Sequence, residues 1–99
     1  MRLTREKDLK NILPGQTYKI KKINEAEFIL YVKKELPELF AEAVSQKSSE
    51  KFADILELIN NTCEILNMDW YECSKIKSSK RWESGKFGLI VSERSDQND

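Results

Sequence analysis

Two apolar stripes at helical spacing, separated by three polar residues, constrain this chain more than any other feature. Phe28, Ile29, Val32, Leu36, Leu39, Phe40 and Ala43 recur in steps of three and four residues, as one face of a helix requires. Gln46, Lys47 and Ser48 break the pattern. A second stripe follows at Phe52, Ile55, Leu56, Ile59, Cys63 and Leu66. Asn24 with Glu27 forms a helix-start signal, so the first helix is expected from there to about Ser45. Ser48 or Ser49 can cap the second, which should run to about Asn67. Asp69 with Glu72 opens a third, to about Glu83, with Trp70, Cys73 and Ile76 as its apolar face and Ser84-Gly85 as its stop. Pro37 lies inside the first helix, where its missing N–H and its ring predict a kink or local widening.

Outside the helices, Thr17 to Ile23 and Phe87 to Val91 are short runs rich in β-formers, and they predict a small two-stranded β element. Leu13-Pro14-Gly15 is a turn signal. A chain of 99 residues cannot hold two separate cores, and its own core will be thin. The expected fold is mainly α: a helical hairpin plus a third helix in one domain over residues 1–92, with a flexible polar tail at 93–99. Stripes this wide are buried best by a second copy, in an oligomeric helical bundle, dimer or tetramer.

Composition excludes some chemistry. There is no His, so no Ser–His or Cys–His nucleophile pair can be assembled. Cys63 and Cys73 fit neither a disulfide framework nor a zinc site, and they read as buried or semi-buried thiols of a reducing, cytoplasmic setting. No apolar run reaches the roughly 18 residues of a membrane span. The polar opening residues do not resemble a secretory signal.

The net charge of zero is a sum of unlike parts. Residues 1–23 hold seven basic and two acidic side chains, residues 24–72 four and eleven, residues 73–92 five and one, and residues 93–99 one and three. An acidic middle thus lies between basic flanks. Such segregation is common in small proteins, and it also suits a cation site bracketed by groups that hold an anion. A nucleic-acid module is disfavoured, because the acidic block interrupts any continuous basic face.

Glu35, Glu38 and Glu42 line one face of the first helix, and Glu50, Asp54, Glu57 and Asn61 form a similar line on the second. In an antiparallel hairpin Glu35 and Glu38 would face Asp54 and Glu57. Crowded carboxylates raise each other's pKa unless a cation joins them, and a hard divalent ion such as Mg²⁺ would do so. The same lines also read as solvated flanks of amphipathic helices. Trp70 and Trp82 read first as packing residues, with base stacking as the alternative for Trp82.

The order of these segments resembles the MazG-like, phosphoribosyl-ATP pyrophosphohydrolase-like family of all-α nucleoside triphosphate pyrophosphohydrolases. That family opens with a K-L-V-R-D-K-I type segment, against Arg2-Leu3-Thr4-Arg5-Glu6-Lys7-Asp8 here. A D-E-E-[FY] helix start is similar to Asn24-Glu25-Ala26-Glu27-Phe28. E-E-x-x-E on the first helix is followed by E-L-A-D-[IV]-L-E-[VL]-I on the second, against Lys51-Phe52-Ala53-Asp54-Ile55-Leu56-Glu57-Leu58-Ile59. A closing K-x-x-x-R-G-x-F stands against Lys80 to Phe87. The likeness covers residues 2 to about 91.

The resemblance implies an oligomeric helical enzyme that uses Mg²⁺ to cleave a nucleoside triphosphate between the α and β phosphorus. Carried over by position, it implies catalytic roles for Glu35, Glu38 and Asp54, and metal-ligand roles for the same three with Glu57. Arg5, Lys7 and Lys80, with Arg81 beside it, become the candidate phosphate contacts. Lys34 and Lys51, however, stand where the family carries metal-binding glutamates, and Ser84 stands where it carries Arg. Each such Lys removes a ligand and adds a repelling charge, which weakens Mg²⁺. Two readings follow: a weak or altered Mg²⁺-dependent pyrophosphohydrolase, or an inactive homologue acting as a nucleotide-binding or protein-interaction module.

Overall fold

The computed structural model describes residues 1–11 and 20–93. The chain divides into two compact units, residues 1–68 and 69–99. The first unit begins with a short 3₁₀ turn, Glu6–Asn11, and is dominated by two helices, α1 (Glu25–Gln46) and α2 (Ser49–Ile65). The second contains α3 (Trp70–Ser84).

Local chemistry sets each helix end. Asn24 Oδ1 accepts from Glu27 N–H at 2.8 Å, while Glu27 Oε1 accepts from Asn24 N–H at 3.4 Å, a reciprocal cap for α1. At the other end Lys47 takes a left-handed conformation, φ 50°, and Ser48 N–H donates to Ala43 O at 3.0 Å. This closes the helix as glycine more often does. Ser48 at once caps α2, its Oγ accepting from Lys51 N–H at 3.1 Å. Only Lys47 and Ser48 therefore separate the two helices, and so short a link returns α2 along α1. Asn67, φ 56°, ends α2 in the same manner, with Met68 N–H on Cys63 O at 2.8 Å. Asp69 caps α3 through Tyr71 N–H, 2.9 Å, and Gly85 at φ 80° stops it. The helix α1 continues through Pro37, which is exposed.

The hairpin core consists of Val32 and Ala43 from α1 with Ile55 and Cys63 from α2. Phe28, Ile29, Leu36 and Leu39 of the expected stripe are half-buried. Ile59 of the second stripe is half-buried as well, whereas Phe40 and Leu56 are 54% and 56% exposed, and the Phe40 and Phe52 rings meet edge to face at 6.1 Å. No residue of α3 is buried, although Trp70 and Cys73 are half-buried.

The β element is a correction. Residues 17–19 lie outside the described residues, while 20–23 and 87–91 form no strand, and among the described residues there is none. Alternating Ile, Val and aromatic residues record a side-chain preference, but a strand needs a neighbour's backbone hydrogen bonds, and two isolated strands are marginal in water. From residue 94 the expected tail also lies outside the described residues. No helix among the described residues is long and apolar enough to cross a membrane.

Candidate functional site

A cleft of about 370 Å³ lies within the first unit, bounded by residues 2–5, Asp8 and the facing sides of α1 and α2. Phe28, Leu39 and Leu58 give it apolar walls. Its charged walls are Arg2, Arg5 and Lys51 against Asp8, Glu35, Glu42, Asp54 and Glu57. Three cations against five carboxylates leave two negative charges.

The opening segment supplies most of the counter-charge. Leu3 N–H donates to both oxygens of Glu35, at 3.0 and 3.3 Å. That double contact explains how a carboxylate can be buried on α1, since the backbone donor replaces lost water. Arg2 reaches Glu35 Oε1 and Glu38 Oε2, both at 3.8 Å. Arg5 places Nη2 at 2.6 Å and Nε at 3.2 Å from a single Asp54 oxygen, Oδ1. This hydrogen bond from Arg5 to Asp54 raises the guanidinium pKa above its ordinary value, against a smaller opposing effect of desolvation.

The hairpin completes the site. Lys51 Nζ donates to Glu42 Oε2 at 2.8 Å. That bond, and then the ammonium charge, lower the Glu42 pKa below the ordinary glutamate value. Asn61 Nδ2 donates to Glu57 Oε2 at 2.6 Å, one turn along α2. The two-residue link returns α2 alongside α1, which brings Glu42 to Lys51 and Phe40 to Phe52.

Of the residues singled out in the sequence, the cleft gathers Glu35, Glu42, Asp54, Glu57, Asn61, Arg5 and Lys51. Glu38 is exposed and is not one of its walls, although Arg2 links it to Glu35. Lys7 and Lys34 are exposed and do not line it. Lys80 and Arg81 are exposed on α3, in the other unit. Sequence reasoning passed over Arg2 and the Glu42–Lys51 pair. The signal for Arg2 was its place at the head of the basic opening motif, and for the pair, the closeness of opposite charges on either side of the turn. Among the described residues no three Asp, Glu or Cys side chains converge closely enough to hold a metal ion by themselves.

Comparison with protein-family models, with curated proteins and with solved structures returned no match.

Proposed function

We propose that the hairpin cleft takes a nucleoside triphosphate together with a divalent cation, and that the chain is a slow pyrophosphohydrolase of the all-α kind that its sequence resembles. The observation that carries this reading is the meeting, in one cleft, of the opening segment's arginines with carboxylates from both helices. A triphosphate needs the first and a cation needs the second.

The donor set fits Mg²⁺ in chemistry. The cleft keeps two uncompensated negative charges, and its acidic donors are hard oxygens. Mg²⁺ is commonly held by one or two carboxylates, with water and substrate phosphates completing its shell, so a convergent protein trio is not required. Asp54 and Glu57, one turn apart on α2, would hold it, with Glu35 and Glu38 as further donors by the resemblance. The ion would neutralise phosphate charge and make a water molecule more acidic.

The chain's own groups have separable tasks. Arg5, and Arg2 beside it, bind phosphate oxygens and stabilise charge on the departing pyrophosphate. Asn61 fixes the orientation of Glu57. Phe28, Leu39 and Leu58 exclude water along one wall. By the resemblance, Glu35, Glu38 or Asp54 would accept the proton of an attacking water, and of these Glu35 and Asp54 line the cleft. Water adds to phosphorus, and the α–β bridging oxygen leaves with pyrophosphate. Phe40, Phe52 and Leu56, exposed on the hairpin, support the accompanying expectation of a second copy.

A second reading, a nucleotide-binding module without turnover, draws on Lys51, which occupies a ligand position and is committed to Glu42. Pyrophosphate release from a panel of nucleoside triphosphates with Mg²⁺ separates the two. The enzyme predicts slow release that Asp54→Asn abolishes. No release at high protein concentration, with nucleotide still bound in equilibrium dialysis, leaves the binding module, and absence of binding overturns both.

A further inference from the structure

Each carboxylate that the family resemblance assigns to a metal already has a partner within the protein. Glu57 is held by Asn61 of its own helix. The other three are held by the opening segment: Glu35 by Leu3 N–H and Arg2, Glu38 by Arg2, and Asp54 by Arg5. The cationic groups that would meet phosphate are therefore the groups that now sit on the cation's ligands.

We propose that residues 2–5 form a latch over the cleft, in which Arg2 and Arg5 couple phosphate binding to divalent-cation binding. The inference rests on reading the cleft as a nucleotide site. In the latched state a cation arriving alone must displace a guanidinium from Asp54, and an anion arriving alone must draw that guanidinium away. When a phosphate takes Arg5, Asp54 is released for the cation. Each ligand thus removes the obstacle to the other, and linkage requires the effect to be reciprocal.

The contacts suit such an exchange. The Arg5 and Asp54 side chains are 53% and 47% exposed, so the pair is solvated and its separation buries no charge. Both guanidinium contacts fall on one oxygen of Asp54, a geometry inferior to the two-oxygen fork that a phosphate offers. Arg2 is looser still, at 3.8 Å from both of its carboxylates. The Leu3–Glu35 contact is of a different kind: a backbone donor on a buried carboxylate, which anchors the segment while its two arginines move.

The test uses the full chain and two equilibrium binding measurements that require no turnover. Mn²⁺ alone, followed by its electron paramagnetic resonance signal, should bind Arg5→Gln about 3- to 10-fold more tightly than the natural protein, because a competing charge beside Asp54 is gone. Arg2→Gln should shift affinity in the same direction by less. Inorganic tripolyphosphate without metal, followed calorimetrically, should bind Asp54→Asn about 3- to 10-fold more tightly, because Arg5 is released. An ion pair with a merely structural role gives unchanged or weaker binding in these variants. That result in either arm overturns the latch, as does binding of neither probe by any of the proteins. Arg5→Lys, which keeps the charge, should fall between and serves if Arg5→Gln loses its helical circular dichroism. Failure of the natural protein to release pyrophosphate would overturn hydrolysis alone, since neither binding arm depends on it.

Discussion

The hairpin and α3 begin with the same local chemistry and end differently. Asn24, Ser48 and Asp69 each cap a helix with a side-chain oxygen, and Lys47, Asn67 and Gly85 each end one with a positive φ. Yet α1 and α2 bury Val32, Ala43, Ile55, Cys63 and a glutamate, while α3 buries nothing. Local signals therefore suffice to place a helix, but burial needs a second helix held close, and the two-residue link at Lys47-Ser48 provides it. The same proximity turns scattered charges into pairs. Glu42 and Lys51 are ordinary surface charges until the turn brings them within 2.8 Å, whereas Lys80, Arg81 and Glu83 on α3 remain exposed.

The comparison is broken most directly at the core. Ile55→Ala should cost about 2–4 kcal/mol in urea unfolding, as a buried Ile→Ala change does. Ile76→Ala on α3, where the side chain is 48% exposed, should cost under about 1 kcal/mol. Equal costs would mean that α3 is packed as the hairpin is. Next, Glu35→Ala leaves Leu3 N–H without its acceptor and should cost about 1–2 kcal/mol. Faster hydrogen exchange at the Leu3 amide would report it, and unchanged exchange would show that the opening segment is held by something else. Loss of the Asp69 cap should cost about 1 kcal/mol. In α3 no burial offsets that loss, so Asp69→Ala should lower ¹³Cα helical shifts through its first turns, while Ser48→Ala should leave those of α2 in place.

The smallest effect is acidic. Glu42 has a lowered pKa in the folded state, so its pairing with Lys51 stabilises the protein above the ordinary glutamate pKa and the contribution is lost as pH falls through the lowered value. Lys51→Met should remove that part of the acid limb in thermal melts taken across it, and added salt should shrink the difference, since both side chains are part-exposed. An unchanged acid limb would remove the pair from the stability of the hairpin.

Much of the helical layout was legible because its signals are short-range. The stripes, the caps at Asn24, Ser48 and Asp69, and the stop at Gly85 each act within one or two turns. The β reading at residues 87–91 failed because strand pairing depends on a partner that the segment itself does not encode. The lining of the candidate cleft was legible in part. Glu35, Asp54 and Glu57 could be found by spacing, as could Arg5 by its place in the opening motif. That Arg5 would sit on Asp54, 49 positions later, could not.

The sequence by itself determined three helices, their boundaries to within a few residues, and an acidic hairpin with a basic opening segment. Periodicity and capping are properties of neighbouring residues, so one dimension holds them. The tertiary structure decided which charges meet: Arg2 and Arg5 on the acidic face, Leu3 N–H on a buried Glu35, and Lys51 on Glu42. A charge finds its partner through the path of the chain in space, and ionic energy falls so steeply with distance and solvent that only this path selects the pairs that matter.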